Sequence, residues 1–282
     1  MTEKGRLFLC ATPIGNLKDI TLRVLETLNN VDLIACEDTR QTLKLLNHFE
    51  IKKPVTSYFE HNKQFKGEEI IEELLAGKDV ALVSDAGMPG VSDPGYELVV
   101  ECIKKGIEVT ALPGPVAAIT GLVLSGLDTR RFCFEGFIPR TKKDKRQFFQ
   151  NLINEERTIV FYESPHRLLE TLEVIREVWG GKRRIAVCRE LTKMFEEVKR
   201  GTVDEVLNYF REQKIKGEFT LIIEGAQPVK VERGLDWARN RVKELIEEGL
   251  TNKEAVKLAA KEADISKREL YEEIMIKKDN HE

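Results

Sequence analysis

The sequence predicts an α/β protein with two α/β lobes and a small all-helical segment at its carboxyl end. As far as Gly225, short apolar runs alternate with amphipathic stretches of helical spacing. The runs of the first half are apolar at consecutive positions, which is typical of strands buried on both faces. After Gly225 no strand-like run follows. We therefore expect a mostly parallel sheet covered by helices, a second half of similar pattern, and a helical end.

The first half contains four predicted strands with helices between them. The stretch Val109–Leu127 is free of charge, but its glycines and prolines predict a strand, a tight loop and a buried helix, with no membrane segment. We expect this half to span residues 1–114. Its predicted strands are Leu7–Ala11, Leu33–Cys36, Val80–Val83 and Val109–Leu112, and its predicted helices are Leu22–Leu28, Leu43–His48, Ile70–Leu75 and Leu98–Ile103.

The second half, residues 115–228, repeats the pattern. Thr202 and Glu205 form a capping box at the start of its last helix. Two lobes of this kind favour a ligand cleft between them. The predicted strands are Phe132–Phe134, Thr158–Tyr162, Ile185–Cys188 and Thr220–Ile223, and the predicted helices are Lys145–Ile153, Leu168–Val178 and Val203–Phe210.

The segment 229–282 predicts three helices. The first is Leu235–Glu248, and the other two begin at capping boxes that start at Thr251 and Ser266. A tight turn between the last two helices is typical of a helix-turn-helix, but a helical cap on the body or on a second subunit fits equally well. Both interpretations stay open.

Composition and charge exclude several classes of protein. The 282 residues suggest roughly two domains at about 150 residues each. With 45 basic and 48 acidic residues the net charge is −3, which excludes a protein that coats nucleic acid by bulk positive charge. The five cysteines form no C-x-x-C, and the four histidines show no metal-ligand spacing. We expect reduced, buried thiols, no metal, and a cytoplasmic protein without a signal peptide.

Three loops after predicted strands are rich in glycine and proline. Because the carboxyl ends of parallel strands meet at one sheet edge, we expect the three loops to form a ligand site together. Neither G-x-G-x-x-G nor G-x-x-x-x-G-K-[ST] occurs, so a dinucleotide fingerprint and a P-loop are unsupported. The loops are Ala11–Leu17, Ser84–Gly95 and Leu112–Ala118.

The motifs in these loops resemble a known family. TPIGNL, CEDTR, SDAGMPGVSDPG, LPGPVAA, YESPHR and RELTKMFEE occur in this order between Leu7 and Gly225. Together they resemble the tetrapyrrole methylase superfamily, and within it the methyltransferases of small-subunit ribosomal RNA. The resemblance implies two lobes with S-adenosyl-L-methionine in the cleft between them, usually in a homodimer. It also implies a substrate, the ribose 2′-hydroxyl of a cytidine in the decoding region of 16S rRNA, as naked RNA or in the assembled 30S subunit.

The resemblance also places the cofactor on particular residues. Here Gly87 replaces the aspartate usual in the superfamily and Asp85 lies two positions earlier, so the carboxylate that meets the cofactor's ammonium group is left open. The predicted cofactor residues are Pro13, Ile14, Ser84, Asp85, Ala86, Gly87, Gly90, Val91, Val116, Ala117, Glu163, Leu191 and Thr220.

A ribose hydroxyl is a weak acid, so a base or cation should assist its attack. The candidates are Glu163, His166 and Lys193, with Glu37, Asp38 and Glu190 as further possibilities. His166 lies near a predicted helix start, with Ser164 as its expected N-cap, where the helix dipole favours neutral imidazole. A lone histidine is also often structural.

Arginines can bind two phosphate oxygens at once, and runs of basic residues attract the RNA backbone. The candidates for RNA contact are Arg40, Arg140, Lys142, Lys143 and Arg167. Asp38 could instead cap the next helix and pair with Arg40. There are two alternative functions. A superfamily enzyme acting on a small tetrapyrrole precursor stays open, whereas a nucleic-acid-binding regulator is disfavoured by Glu269, Glu272 and Glu273 in the last helix.

Overall fold

The computed structural model describes residues 3–227 and 234–276. It contains two compact units, Met1–Ala226 and Gln227–Glu282. The first unit holds two five-stranded sheets, and the second unit is helical where it is described. The division of the first unit near residue 114 stays a prediction.

The first sheet is wholly parallel, with the strand order β3-β2-β4-β1-β5. All four predicted strands are present, and the structure adds the three-residue strand β3. That strand is half-buried at the sheet edge, so the sequence Val-Thr-Ser carries too little apolar pattern to predict it. The strands are β1 (Leu7–Cys10), β2 (Leu33–Cys36), β3 (Val55–Ser57), β4 (Val80–Val83) and β5 (Val109–Leu112).

Helices cover both faces of this sheet. Apolar residues of α1 (Leu22–Asn30) and α2 (Thr39–His48) pack on one face, and those of α3 (Lys63–Leu75) and α4 (Tyr96–Lys104) pack on the other. The neighbouring strands β1 and β4 therefore lead into helices on opposite faces. Loops at such a switch point leave a crevice beyond the carboxyl ends of the strands, where open α/β sheets bind their ligands.

The second sheet is mixed, with the order β6-β7-β10-β8-β9. Only β6 and β7 are parallel, and the other neighbours run antiparallel, so the parallel pattern of the first half does not repeat. The unpredicted strand β9 is a polar edge strand that follows β8 after a seven-residue loop. The strands are β6 (Phe132–Phe137), β7 (Thr158–Glu163), β8 (Arg184–Arg189), β9 (Glu197–Thr202) and β10 (Phe219–Ile223).

Four helices accompany the second sheet: α5 (Ala117–Ser125), α6 (Lys142–Asn151), α7 (Leu168–Trp179) and α8 (Val203–Arg211). The capping box at Thr202 is confirmed. The Thr202 hydroxyl accepts a hydrogen bond from the Glu205 N–H, and the Glu205 carboxylate accepts one from the Thr202 N–H. Buried residues of α5 pack against those of β7, β8 and β10. The uncharged stretch from Val109 is a strand, a loop and a short helix, as predicted, and no described helix is long and apolar enough to cross a membrane.

The carboxyl-terminal unit contains α9 (Leu235–Glu247), α10 (Asn252–Glu262) and α11 (Lys267–Ile276) among its described residues. These helices bury a core of their own, built around Ala238, Leu245 and Leu270. The predicted capping box at Thr251 is confirmed. Residues 229–233 and 277–282 of the predicted segment lie outside the described residues.

Candidate active site

The loops after β1 and β4 are bonded to each other at the crevice. Thr12 and Gly87 exchange two backbone hydrogen bonds of 2.9 and 3.0 Å. The Thr12 hydroxyl donates to the Ser84 carbonyl at 3.1 Å, and the Ser84 hydroxyl donates to the Gly87 carbonyl at 3.2 Å. Gly87 has a φ of +85°, which favours glycine. These bonds fix the backbone of both loops, so the crevice has a defined shape.

A cavity of about 310 Å³ lies between this edge and the second sheet. Its volume is within the roughly 300–1,000 Å³ usual for small-molecule and cofactor sites. Ile14, Val116, Ala117 and Leu191 give it apolar walls. The other lining residues are Asp85, Ala86, Gly87, Met88, Val91, Ser92, Asp93, Phe137, Tyr162, Glu163, Ser164, Pro165, Glu218, Phe219 and Thr220.

The structure brings most of the predicted cofactor residues to this cavity. Pro13 and Ser84 instead line an adjoining cavity of about 400 Å³, which shares Ile14 and Asp85 with the first. Gly90 has a φ of +83° in the same loop but is not among the residues that line either cavity. The three loops therefore meet at one place, as their positions after the strands predicted.

Two carboxylates of the first lobe, Asp85 and Asp93, line the cavity, and among residues 3–227 and 234–276 no ion pair involves either of them. Burial raises the pKa of Asp93 to about 6, and the charge of Asp85 adds to the shift. The pKa values of Asp85 and Glu37 are also raised, chiefly by burial and then by neighbouring carboxylates, although a backbone N–H lowers that of Asp85. Since raised values show that the ionised forms are under-compensated, this wall favours a positively charged ligand.

Glu163, by contrast, is fully bonded within the second lobe. Its buried carboxylate accepts hydrogen bonds from the Ser164 N–H at 2.6 Å and the Thr171 hydroxyl at 2.5 Å. It also forms an ion pair of 2.7 Å with Arg167. A carboxylate with this many partners stabilises the turn between β7 and α7.

His166 lies in the turn before α7 and is exposed. The helix begins at Leu168 with Arg167 as its N-cap, so the prediction that Ser164 caps it is wrong. The physical reason is that Ser164 starts a separate turn, closed by a 3.1 Å bond from the Arg167 N–H to its carbonyl. His166 is absent from the residues that line the cavity.

Lys193 lines the adjoining cavity between two glutamates. Its ammonium group lies 2.9 Å from Glu190 and 3.1 Å from Glu218. Partial burial opposes its charge, but these hydrogen bonds outweigh that effect and raise the pKa of Lys193. The side chain also crosses Gly15, where an added Cβ would lie 2.4 Å from the Lys193 Cγ. Lys193 is thus a fixed cation that joins the loops of the two lobes.

The loop that carries Lys193 has strained backbone on both sides of Leu191. Glu190 and Thr192 have φ values of +51° and +67°, which residues other than glycine rarely adopt. Such strain is concentrated at functional sites, where the surrounding structure maintains it. Here the Glu218 N–H bonds the Glu190 side chain at 3.0 Å, and the Glu196 side chain bonds the Thr192 N–H at 2.6 Å.

Two of the predicted RNA-contacting arginines are paired internally. Asp38 caps α2, as the alternative interpretation predicted, and it binds Arg40 at 2.8 Å, although the Arg40 side chain is 85% exposed. Arg167 is only 20% exposed, since it pairs with Glu163 and donates to the Ile138 carbonyl at 2.9 Å. Arg167 is therefore a structural residue here, and phosphate contact by it is not supported.

The basic residues between positions 140 and 146, at and before the start of α6, also differ in their surroundings. Lys142 pairs with Glu177, and Lys145 is fully buried beside Glu170. Arg140 and Lys143 are exposed, and within the described parts of the chain no ion pair involves either of them. These two are the free cations of the run.

Nine lining residues were not predicted as cofactor contacts, and Asp93, Phe137 and Tyr162 are among them. Asp93 lies within the quoted loop after β4, and Tyr162 begins the motif YESPHR, so their positions were visible but their burial was not. All five cysteines are buried and free. Among residues 3–227 and 234–276, no group of three or more histidine, cysteine or carboxylate side chains could hold a metal ion.

Comparison with known proteins identifies the relatives of this chain. The family model for tetrapyrrole (corrin/porphyrin) methylases matches residues 6–207. Proteins named ribosomal RNA small subunit methyltransferase I are similar to it. The one from Halalkalibacterium halodurans is 50% identical, over 95% of this chain and 94% of its own, and the one from Bacillus subtilis is 47% identical, over 98% and 96%. The crystal structure of diphthine synthase, at 15% identity, shares the fold with a TM-score of 0.60 over 78% of this chain and 90% of its own.

Proposed function

The chain belongs to the tetrapyrrole methylase family, and on that premise we propose that it methylates the ribose 2′-hydroxyl of a cytidine in the decoding region of 16S rRNA. The coarser assignment, an S-adenosyl-L-methionine-dependent methyltransferase of small-subunit ribosomal RNA, follows from the names of its relatives and from the family. The site of methylation on the RNA is the proposed part.

One observation carries the cofactor assignment, namely the under-compensated carboxylates along the first-lobe wall of the cavity. S-adenosyl-L-methionine has a positive sulfonium and a positive ammonium group, so ionised Asp85 and Asp93 complement it. The apolar walls and the fixed loop backbone at Gly87 suit its remaining parts. The residues present thus fit the cofactor.

We assign cofactor contact to the lining residues predicted from the sequence, with Pro13 and Ser84 supporting the loops from the adjoining cavity. Gly90 acts through its backbone conformation. Glu163 orders the turn beside the cavity, and its bonds to Arg167 and Thr171 leave it a positioning residue.

The bound cofactor supplies a methyl group that is attached to a positively charged sulfur. The sulfur is an excellent leaving group, so positioning of the reactants accounts for much of the rate. The chain must hold the attacking hydroxyl and accept its proton. We propose that Asp93 accepts that proton, since it lines the cavity and burial raises its pKa to about 6. Lys193 supplies a fixed positive charge in the adjoining cavity, where it can stabilise negative charge that develops on the attacking oxygen. His166 remains an exposed candidate for substrate contact.

For the RNA we propose contact by Arg40, Arg140 and Lys143, the exposed members of the predicted set, with Lys142 in a weaker role because Glu177 pairs with it. The proposed partner is 16S rRNA, naked or in the 30S subunit, and the enzyme acts as a homodimer in the cytoplasm. No metal takes part in this proposal.

The test is methyl transfer from tritiated S-adenosyl-L-methionine to three acceptors: 30S subunits lacking the modification, naked 16S rRNA and a tetrapyrrole precursor. Label on a cytidine ribose in the 30S or naked RNA supports the proposal, and label on the tetrapyrrole alone would overturn the substrate. Ala117→Trp fills the cavity and should abolish transfer. Ile119→Trp introduces the same side chain at an exposed position of α5 and is the control.

A further inference from the structure

Phe137 is a large apolar side chain that is exposed at the cavity. It is 58% exposed and also lines the cavity. One side of the ring packs on Tyr162, with 5.5 Å between the ring centroids. Tyr162 is itself fixed, since its hydroxyl accepts a 3.1 Å hydrogen bond from the Ala118 N–H. An aromatic ring is therefore held on a rigid support with much of its surface open.

A β-bulge places the ring there. Phe134 pairs with Val160 and Phe137 with Tyr162, so β6 uses one residue more than β7 over this interval. Gly136, inside the bulge, has a φ of +67°. Bulges beside active sites commonly re-aim a side chain. This bulge leaves the Phe137 ring at the cavity with more than half of its surface exposed.

Resting on the proposed function, we propose that Phe137 stacks on the base of the nucleotide whose ribose receives the methyl group. A methyl acceptor has to reach the cavity, and RNA is read in this way where unpaired bases are splayed out onto aromatic side chains. The free cations Arg140 and Lys143 follow within six residues of the ring and suit the adjoining phosphates. A base stacked on Phe137 brings its ribose to the cavity that Asp93 also lines.

Substitutions at Phe137 separate an aromatic face from apolar bulk. Steady-state kinetics with unmodified 30S subunits should show kcat/KM lowered about ten- to hundredfold in both Phe137→Ala and Phe137→Leu, the range for losing one base–aromatic stack. Phe137→Trp should retain activity within a few-fold. Phe132→Ala removes a 37% exposed phenylalanine at the other end of β6 and should have wild-type kinetics.

Calorimetric titration of S-adenosyl-L-methionine supplies the second readout, and all Phe137 variants should bind it within about twofold of wild type. Full activity in Phe137→Leu would overturn the proposal, because apolar bulk would then suffice. Cofactor affinity that falls in parallel with kcat/KM would also overturn it, because the ring would then face the cofactor. Failure of the wild-type enzyme on every RNA acceptor would instead refute the proposed function, so the two failures are distinguishable.

Discussion

The two walls of the cavity carry acidic groups in opposite electrostatic states. On the first lobe, Asp93 and Asp85 have raised pKa values, and within the described parts of the chain neither forms an ion pair. On the second lobe, Glu163 is paired with Arg167, and Glu190 with Lys193. The first wall has negative charge available to a ligand, whereas the second wall uses its charges to order turns and a strained loop.

This difference separates function from scaffolding. An uncompensated buried charge costs stability, and it is retained where a ligand or a reaction needs it. A compensated buried pair contributes a defined local structure, and breaking it leaves its partner unpaired. Mutations on the two walls should therefore have opposite effects on stability.

The largest effect is expected at the uncompensated wall. Asp93→Asn should lower the methyl-transfer rate by about 10²- to 10⁴-fold, the usual contribution of a general base. The pKa of the native Asp93 carboxyl is raised, so the folded protein binds more protons than the unfolded chain between about pH 4 and 6, and stability falls as pH rises through this range. At pH 7 the variant should consequently gain about 1–2 kcal/mol, with the shift discounted for partial exposure.

Single-turnover rates and urea unfolding measure the two properties of this variant. Lost activity with gained stability is the expected combination. If Asp93→Asn kept the wild-type rate, Asp93 would not be the proton acceptor.

Glu163→Ala should act in the opposite direction on stability. The change leaves the guanidinium of Arg167 without its carboxylate, and we expect a loss of about 3–5 kcal/mol in the free energy of unfolding. Thermal unfolding measures it, and the double variant Glu163→Ala, Arg167→Met should recover part of the loss. A stable and inactive Glu163→Ala would instead make Glu163 a catalytic residue.

A smaller effect is expected where the two walls meet. Gly15→Ala places a Cβ 2.4 Å from Lys193 Cγ, so the ammonium group must leave its position between the glutamates. We expect about a tenfold drop in kcat and roughly 1 kcal/mol of destabilisation. Gly67→Ala is the matched control. It lies in α3, where the added Cβ meets only Tyr58 Cε2 at 3.7 Å, and it should gain up to about 1 kcal/mol.

The smallest effect concerns the pH dependence of cofactor binding. With the pKa of Asp93 near 6, its carboxyl is mostly protonated at pH 5 and ionised at pH 7. A cationic ligand prefers the ionised form, so the dissociation constant should be up to about tenfold higher at pH 5. Calorimetry at the two pH values measures this ratio. The ratio should shrink in Asp93→Asn, and an unchanged ratio would assign the effect to another group.

Much of the fold could be predicted because it follows from local patterns. The consecutive apolar residues of β4 and the turn residues after it located both a buried strand and a ligand loop. Whether neighbouring strands run parallel or antiparallel could not be predicted in the same way. The strand Phe219–Ile223 is equally apolar, yet it pairs antiparallel, since direction depends on distant partners.

The position of the candidate site could be predicted from the sequence, but the burial of its charged groups could not. Ile14, Ala117 and Thr220 line the cavity because each lies at the end of a strand or at a helix start next to it. The burial of Asp93 depends on how two loops fold over each other, which no local pattern reports. Likewise, Lys145 belongs to a basic run in the sequence but is fully buried.

The order of strands in the second sheet has a consequence for synthesis of the chain. The first sheet is complete once Leu112 has been made, whereas β10, which follows every other described strand, lies at the centre of the second sheet. Until Phe219–Ile223 has been translated, β7 and β8 have no partner between them, and each presents an open edge. A nascent chain can therefore form the negatively charged wall early, but the second wall of the cavity is complete only after Phe219–Ile223 has been made.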